Sequence, residues 1–142
     1  MTKLDTLKSI LLVDDDEASN FLHGIFINKL QLDVEVNEAL NGQEALDFIL
    51  DKGAASLELP CMVMLDLRMP VMDGWKFMEI FEEQVPQKLK EQIKVVLVTI
   101  SDDQNDKDRA KANSFIADYA QKPLSDSTFK ALINKHFSLQ AV

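Results

Sequence analysis

Basic residues, cysteine, histidine and glycine are all scarce in this chain. Fifteen Lys and Arg stand against 24 Asp and Glu, for a net charge of −9 over 142 residues. That balance argues against a nucleic-acid or anionic-membrane surface, since both require clustered cations. The lone Cys61 excludes an internal disulfide and suits a reducing compartment. Two histidines, His23 and His136, leave any cation site to oxygen ligands. The four glycines, at 24, 42, 53 and 74, form no glycine-rich phosphate loop. No apolar run approaches the ~18–20 residues of a membrane span. Met1 to Lys8 is polar and lacks the apolar centre of a signal peptide, so the expected location is cytoplasmic.

Short apolar runs are what the chain does have. Ser9–Val13, Cys61–Leu65 and Ile93–Ile100 read as strands buried on both faces. Leu32, Val34 and Val36 alternate with Asp33 and Glu35, which predicts an edge strand. Phe115, Ile116, Tyr119 and Ala120 suggest a fifth strand, closed by Lys122-Pro123.

Helical spacing recurs between these runs. Phe21, Leu22, Ile25 and Phe26 mark a first helix over 17–30, with His23 off the apolar stripe. Ala45, Leu46, Ile49 and Leu50 mark a second over 43–51, with Lys52–Ser56 as its stop and loop. Asp73-Gly74 opens a third, carrying Trp75, Phe77, Met78 and Phe81 and ended by Val85-Pro86. Gln87–Gln92 reads as a charged connection. Gln104–Asn113 predicts a fourth helix whose only apolar residues are Ala110 and Ala112. Ser125 is the N-cap of a fifth, with Phe129, Leu132, Ile133 and Phe137. Strands alternating with helices imply one α/β domain, a five-stranded parallel sheet with five helices on both faces.

All strand carboxyl ends lie on one edge of such a sheet, where ligands bind. Asp14-Asp15-Asp16, Asp66, Thr99 and Lys122 each follow a strand. Converging carboxylates repel unless a cation bridges them. An all-oxygen set favours Mg²⁺, or another hard divalent such as Mn²⁺. A hydroxyl and an ammonium can hold further anionic oxygens. Together these groups suit phosphoryl transfer to Asp66 as nucleophile.

At these residues the chain resembles a response-regulator receiver domain of two-component signalling. The motifs are Leu12-Val13-Asp14-Asp15, Leu65-Asp66-Leu67-Arg68-Met69-Pro70 with Met72-Asp73-Gly74, Val98-Thr99, and Tyr119 ahead of Lys122-Pro123. Asn41-Gly42-Gln43-Glu44-Ala45-Leu46 resembles the family's turn into its second helix. The resemblance covers about 9–137 of a single receiver domain spanning 1–142, and implies the flavodoxin-like strand order 2-1-3-4-5.

It further implies Asp66 as phosphoacceptor and Asp15 as metal ligand. Asp14 would act through water, and the Arg68 backbone carbonyl would complete the metal site. Thr99 matches the switch hydroxyl, Lys122 the phosphate-contacting lysine and Tyr119 the aromatic that changes rotamer. Implied partners are a sensor histidine kinase or histidine phosphotransfer protein and a downstream protein. The signal would leave through the fourth helix, fifth strand and fifth helix. With only Ser138–Val142 after the last helix, a single-domain regulator without attached output is expected.

Ile100, Phe115 and Gln121 depart from the family's usual residues, and Ile100 with Arg68 is expected to restrict access to Asp66. A haloacid-dehalogenase-like phosphohydrolase also uses an aspartate nucleophile, but needs an acid two residues on. Arg68 stands there and cannot transfer protons near neutral pH. The chain is therefore expected not to be a dedicated enzyme. A degenerate, binding-only receiver is disfavoured by the intact Asp66, Thr99 and Lys122.

Overall fold

The computed structural model describes residues 6–100 and 102–138, and for residues 51–56 the backbone alone. Five strands form one parallel sheet: β1 (Ser9–Val13), β2 (Glu35–Ala39), β3 (Cys61–Asp66), β4 (Ile93–Thr99) and β5 (Ile116–Gln121). Their order is β2-β1-β3-β4-β5, the expected one. β1, β3 and β4 are buried at every position, as continuous apolar runs require of strands covered on both faces. β2 and β5 are the edges. Between β4 and β5 the register slips at Val95/Val96, with Val95 facing Ile116 and Val96 facing Asp118.

Among the described residues there are six helices rather than five: α1 (Glu17–Asn28), α2 (Gly42–Ser56), α3 (Gly74–Gln84), α4 (Gln87–Lys90), α5 (Gln104–Ala112) and α6 (Asp126–His136). The extra one is the charged connection after Pro86. The Leu89 and Lys90 amides donate to the Pro86 carbonyl and close a single turn. Pro86 presets an angle suited to a helix start. α2 also runs through Lys52–Ser56, which the sequence reads as a stop. One internal glycine costs only about 1 kcal/mol against alanine, and Ala54-Ala55 favour helix. Expectations for the chain ends fall on residues 1–5 and 139–142, outside the described ones.

The sheet divides the core. Leu11, Val13, Val63, Leu65, Val95 and Leu97 pack with α2 and α3 residues such as Ala45, Leu46, Phe77 and Phe81. Ile10, Leu12, Met62, Met64, Val96 and Val98 pack on the other side with Ile27 of α1 and Phe129, Leu132 and Ile133 of α6. Phe77, Phe81, Phe129 and Phe137 are each fully buried, a contribution of about 1.5–3 kcal/mol apiece. Cys61 is fully buried at the start of β3, and burial pushes its thiol up to about 12.

The first helix corrects the sequence reading. Phe21, Leu22 and Ile25 are 67%, 47% and 39% exposed, whereas Asn20, His23 and Ile27 are buried. Phase is set by the cap. The Asp16 carboxylate accepts from the Ala18 amide and the Ser19 hydroxyl, which fixes where the helix begins. Asn20, His23 and Ile27 then fall at four, seven and eleven residues past that cap, on the side facing the sheet. α3 and α6 start as predicted. Asp73 accepts from the Lys76 amide, and Ser125 forms a reciprocal cap with Thr128.

Candidate functional site

Three carboxylates meet where β1 and β3 leave the sheet. One oxygen from each of Asp14, Asp15 and Asp66 lies within 4.8 Å of the others. Asp14 is 4% exposed and Asp66 8%, while Asp15 is exposed. The third member of the acidic run, Asp16, is the α1 cap and stands outside the cluster.

Asp14 is fixed on every side. Its amide donates to the Ala39 carbonyl at 3.1 Å and its Oδ1 accepts from the Asp16 amide at 2.9 Å. Its Oδ2 accepts from Lys122 Nζ at 2.6 Å. Asn20, fully buried one turn into α1, donates from Nδ2 to the Asp14 carbonyl at 3.1 Å and to the Ala39 carbonyl at 3.3 Å. It ties the end of β1 to the end of β2. Beside it, His23 stands edge-on to Phe129 at 5.6 Å. Together they wall a cavity of about 10 Å³ behind Asp14 and Asp66, room for about one water. Burial, then the Lys122 ammonium, hold His23 below its ordinary pKa. Neither residue stood out in the sequence, because both are polar side chains on the buried face of a helix.

Asp66 ends β3. Its Oδ1 accepts from the Arg68 amide at 3.3 Å, and its Oδ2 lies 3.7 Å from Lys122 Nζ. The loop beyond folds straight back, with the Gly74 amide donating to the Leu67 carbonyl at 2.9 Å. A side chain at Gly74 would come within 3.0 Å of Leu67 Cα and 3.3 Å of the Asp66 carbonyl oxygen. A Cβ there would press on the strand backbone, so glycine lets α3 start close against the strand end. Val71, 96% exposed at the tip of this loop, takes a left-handed φ of 69°, a strained conformation for a β-branched residue.

β4 and β5 supply the rest. Thr99 is fully buried, and its carbonyl accepts from the Lys122 amide at 2.8 Å. That bond seats Lys122, whose peptide to Pro123 is cis. Tyr119 pairs with Leu97 across the strands and packs against the first half of the core. Ile100, directly after Thr99, is 76% exposed. The Arg68 side chain turns away from the acids, and its Nη2 donates to Asp106 of α5 at 2.7 Å. Asp106, another residue missed in the sequence, is 8% exposed.

Electrostatics follow from this packing. Asp66 is raised to about 6, first by burial and then by Asp14 and Asp15, against the lowering by Lys122 and the Arg68 amide. For Lys122, burial disfavours the charge, but the Asp14 hydrogen bond and the Asp66 carboxylate outweigh it and raise the pKa. The donor set is all oxygen, two of its acids are buried, and one ammonium serves both. That combination fits a hard divalent cation.

A doubly wound parallel sheet thus brings clustered acids, a buried threonine and a lysine together at its strand ends. The chain belongs to the response regulator receiver domain family, whose model matches residues 10–134. It is similar to a two-component response regulator from Cytophaga hutchinsonii, at 31% identity over 94% of this chain and 97% of that one, with a TM-score of 0.78. It is also 31% identical over 126 residues to a probable methanogenesis regulatory protein of Methanothrix harundinacea, covering 89% of this chain and 79% of that protein. A receiver protein from Dyadobacter fermentans, 24% identical over 91% of this chain and 96% of that one with a TM-score of 0.79, shares the fold. Among the described residues no helix is long and apolar enough to cross a membrane.

Proposed function

We propose that Asp66 accepts a phosphoryl group from a histidine kinase or a histidine phosphotransfer protein in the cytoplasm, and that the single receiver unit over 9–137 passes this state to a downstream protein. The observation that carries the reading is Lys122, whose ammonium bonds Asp14 at 2.6 Å and lies 3.7 Å from Asp66. One cation thus stands beside both the metal-type acid and the nucleophile.

In the step, an Asp66 carboxylate oxygen attacks phosphorus and an acyl phosphate bond forms. The donor's phosphorus–nitrogen bond breaks, and the imidazole leaves with the electron pair and takes up a proton. Asp15, Asp66 and the Arg68 carbonyl would hold Mg²⁺ or Mn²⁺, with Asp14 acting through water. When bound, that cation neutralises charge on the phosphoryl oxygens. Lys122 stabilises another of those oxygens and Thr99 supplies a hydroxyl for a third. With a pKa of about 6, Asp66 is mainly ionised at neutral pH and able to attack. Arg68, paired with Asp106, stands clear of the acids in this state, which leaves Ile100, directly after Thr99, as the large residue that restricts the approach of water and slows hydrolysis. The protein is not a dedicated enzyme under this reading, and its self-phosphorylation from small donors and slow dephosphorylation are properties of the one site. Tyr119 follows Thr99, and the signal leaves through α5, β5 and α6.

The test is intact-mass spectrometry after incubation with acetyl phosphate and Mg²⁺. One phosphoryl adduct is expected, mapped to Asp66 and abolished by EDTA. An adduct that persists in EDTA or maps elsewhere refutes the assignment.

The exposed Phe21, Leu22 and Ile25 lie on the helix that starts beside the acids. Val71 and Ile100 are exposed apolar residues on two further loops at the same edge. These residues suit an apolar seat for the protein donor, which must bring its phosphohistidine to Asp66. Phe21→Glu is expected to slow transfer from a protein donor by about tenfold or more while acetyl phosphate still works. Equal slowing with both donors would place the effect in the pocket instead.

A further inference from the structure

By composition α5 is loosely seated, since Ala110 is its one buried apolar residue. It is held differently. The buried Asp106 carboxylate takes the Arg68 guanidinium at 2.7 Å. The Arg109 guanidinium lies over the Trp75 ring of α3 at 4.3 Å. Two cationic contacts thus stand in for an apolar seam, and one of them starts two residues after Asp66.

We propose that Asp106 is a positioning residue which draws the Arg68 side chain out of the acid pocket, and that new negative charge on Asp66 draws it back and releases α5. The proposal rests on the reading of Asp66 as phosphoacceptor and names the regulation of that site. Arg68 is free to exchange partners because its side chain is 56% exposed and has little packing to lose. Asp106, with its side chain 12% exposed, cannot follow into water unless the helix moves. A phosphoryl group carries more charge than a carboxylate, and its oxygens accept the two-pronged guanidinium contact. Once Arg68 leaves, Asp106 is a buried carboxylate without its partner, which is strongly unfavourable. Rotation of α5 toward solvent relieves it. The charge of Asp106 is already felt by Tyr119, whose pKa rises from burial and then from Asp106, so movement of α5 changes the surroundings of the expected switch aromatic.

The experiment uses the full chain, isotope-labelled, with Mg²⁺ and beryllofluoride as the phosphoryl mimic. It reads the Arg68 Nε–H resonance and amide hydrogen exchange across 104–112. The mimic is expected to shift the Arg68 signal and speed exchange in α5 by roughly tenfold. In Arg68→Ala and in the isosteric Asp106→Asn, exchange in α5 is fast before the mimic is added and changes little afterwards. Asp106→Glu restores part of the response. If the pair were only structural, Arg68→Ala would loosen α5 yet leave the mimic's full effect in place, and that result overturns the proposal. Shifts at Asp66 and Thr99 with Arg68 and α5 unmoved overturn the latch alone. No response at Asp66 or Thr99 overturns the phosphoacceptor reading and the latch with it.

Discussion

Asp66→Asn is expected to lose the phosphoryl adduct entirely and, in metal-free buffer at pH 7.5 or so, to unfold at a higher denaturant concentration than the unaltered chain. Loss of function and gain of stability share one cause. Asp66 sits among carboxylates, at a pKa of about 6 against an ordinary 3.8. The folded protein therefore holds a proton that the unfolded chain releases, and stability falls as pH rises through that interval. Above about pH 6 the full penalty is present, on the order of 1–3 kcal/mol for a shift of this size. Below about pH 4 both states are protonated and the asparagine has no advantage. The substitution also removes a 3.7 Å pairing with Lys122, but Lys122 retains Asp14 at 2.6 Å. Denaturation midpoints measured near neutrality and near pH 4.5 check the sign. A midpoint lower than that of the unaltered chain near neutrality, or an equal gain at both pH values, would show that the acids are already compensated.

Lys122→Met should do the reverse. Asp14 loses its 2.6 Å partner while 4% exposed, and Asp66 loses its nearest cation. Removing one member of a buried pair typically costs about 3–5 kcal/mol, because the other charge stays behind. The raised pKa of Lys122 agrees in sign, since its pairing stabilises the fold at neutral pH and is lost only as pH rises through the lysine's folded value. Mg²⁺ should recover part of the loss, because a ligand bound only by the folded state stabilises it by mass action. It should also bind more tightly than to the unaltered chain, with no ammonium left on Asp14 Oδ2. Calorimetric Mg²⁺ titration and denaturation with and without Mg²⁺ measure both effects. Unchanged stability together with weaker Mg²⁺ binding would mean that Lys122 is not the counterion.

The sheet was legible in the sequence because burial on both faces leaves strands apolar at every position, as in Ser9–Val13 and Cys61–Leu65. Asp14, Asp15, Asp66 and Lys122 were legible because the topology brings strand ends together, and the structure places those four side by side. The misses have a common physical origin. Asn20, His23 and Asp106 are polar groups buried through specific partners, and an apolar periodicity cannot register them. In α1 the exposed Phe21, Leu22 and Ile25 formed the stronger pattern, and only the Asp16 cap would have corrected the phase. The turn Gln87–Lys90 escaped because a four-residue helix has too few positions to show a period. For α5, the sequence showed few apolar contacts but not the ion pair that holds it.

The strand order also has a consequence for the ribosome. Asp14 and Asp15 are made first and Asp66 some fifty residues later, when β3 completes the pairing of β1. Their counterion arrives only with Lys122, directly after the last strand to be synthesised. Until then a nascent chain has all three carboxylates and none of their neutralising charge. The final strand therefore adds more than an edge to the sheet: it delivers the cation without which the strand ends repel, and this favours folding of the domain as one unit after β5 has emerged.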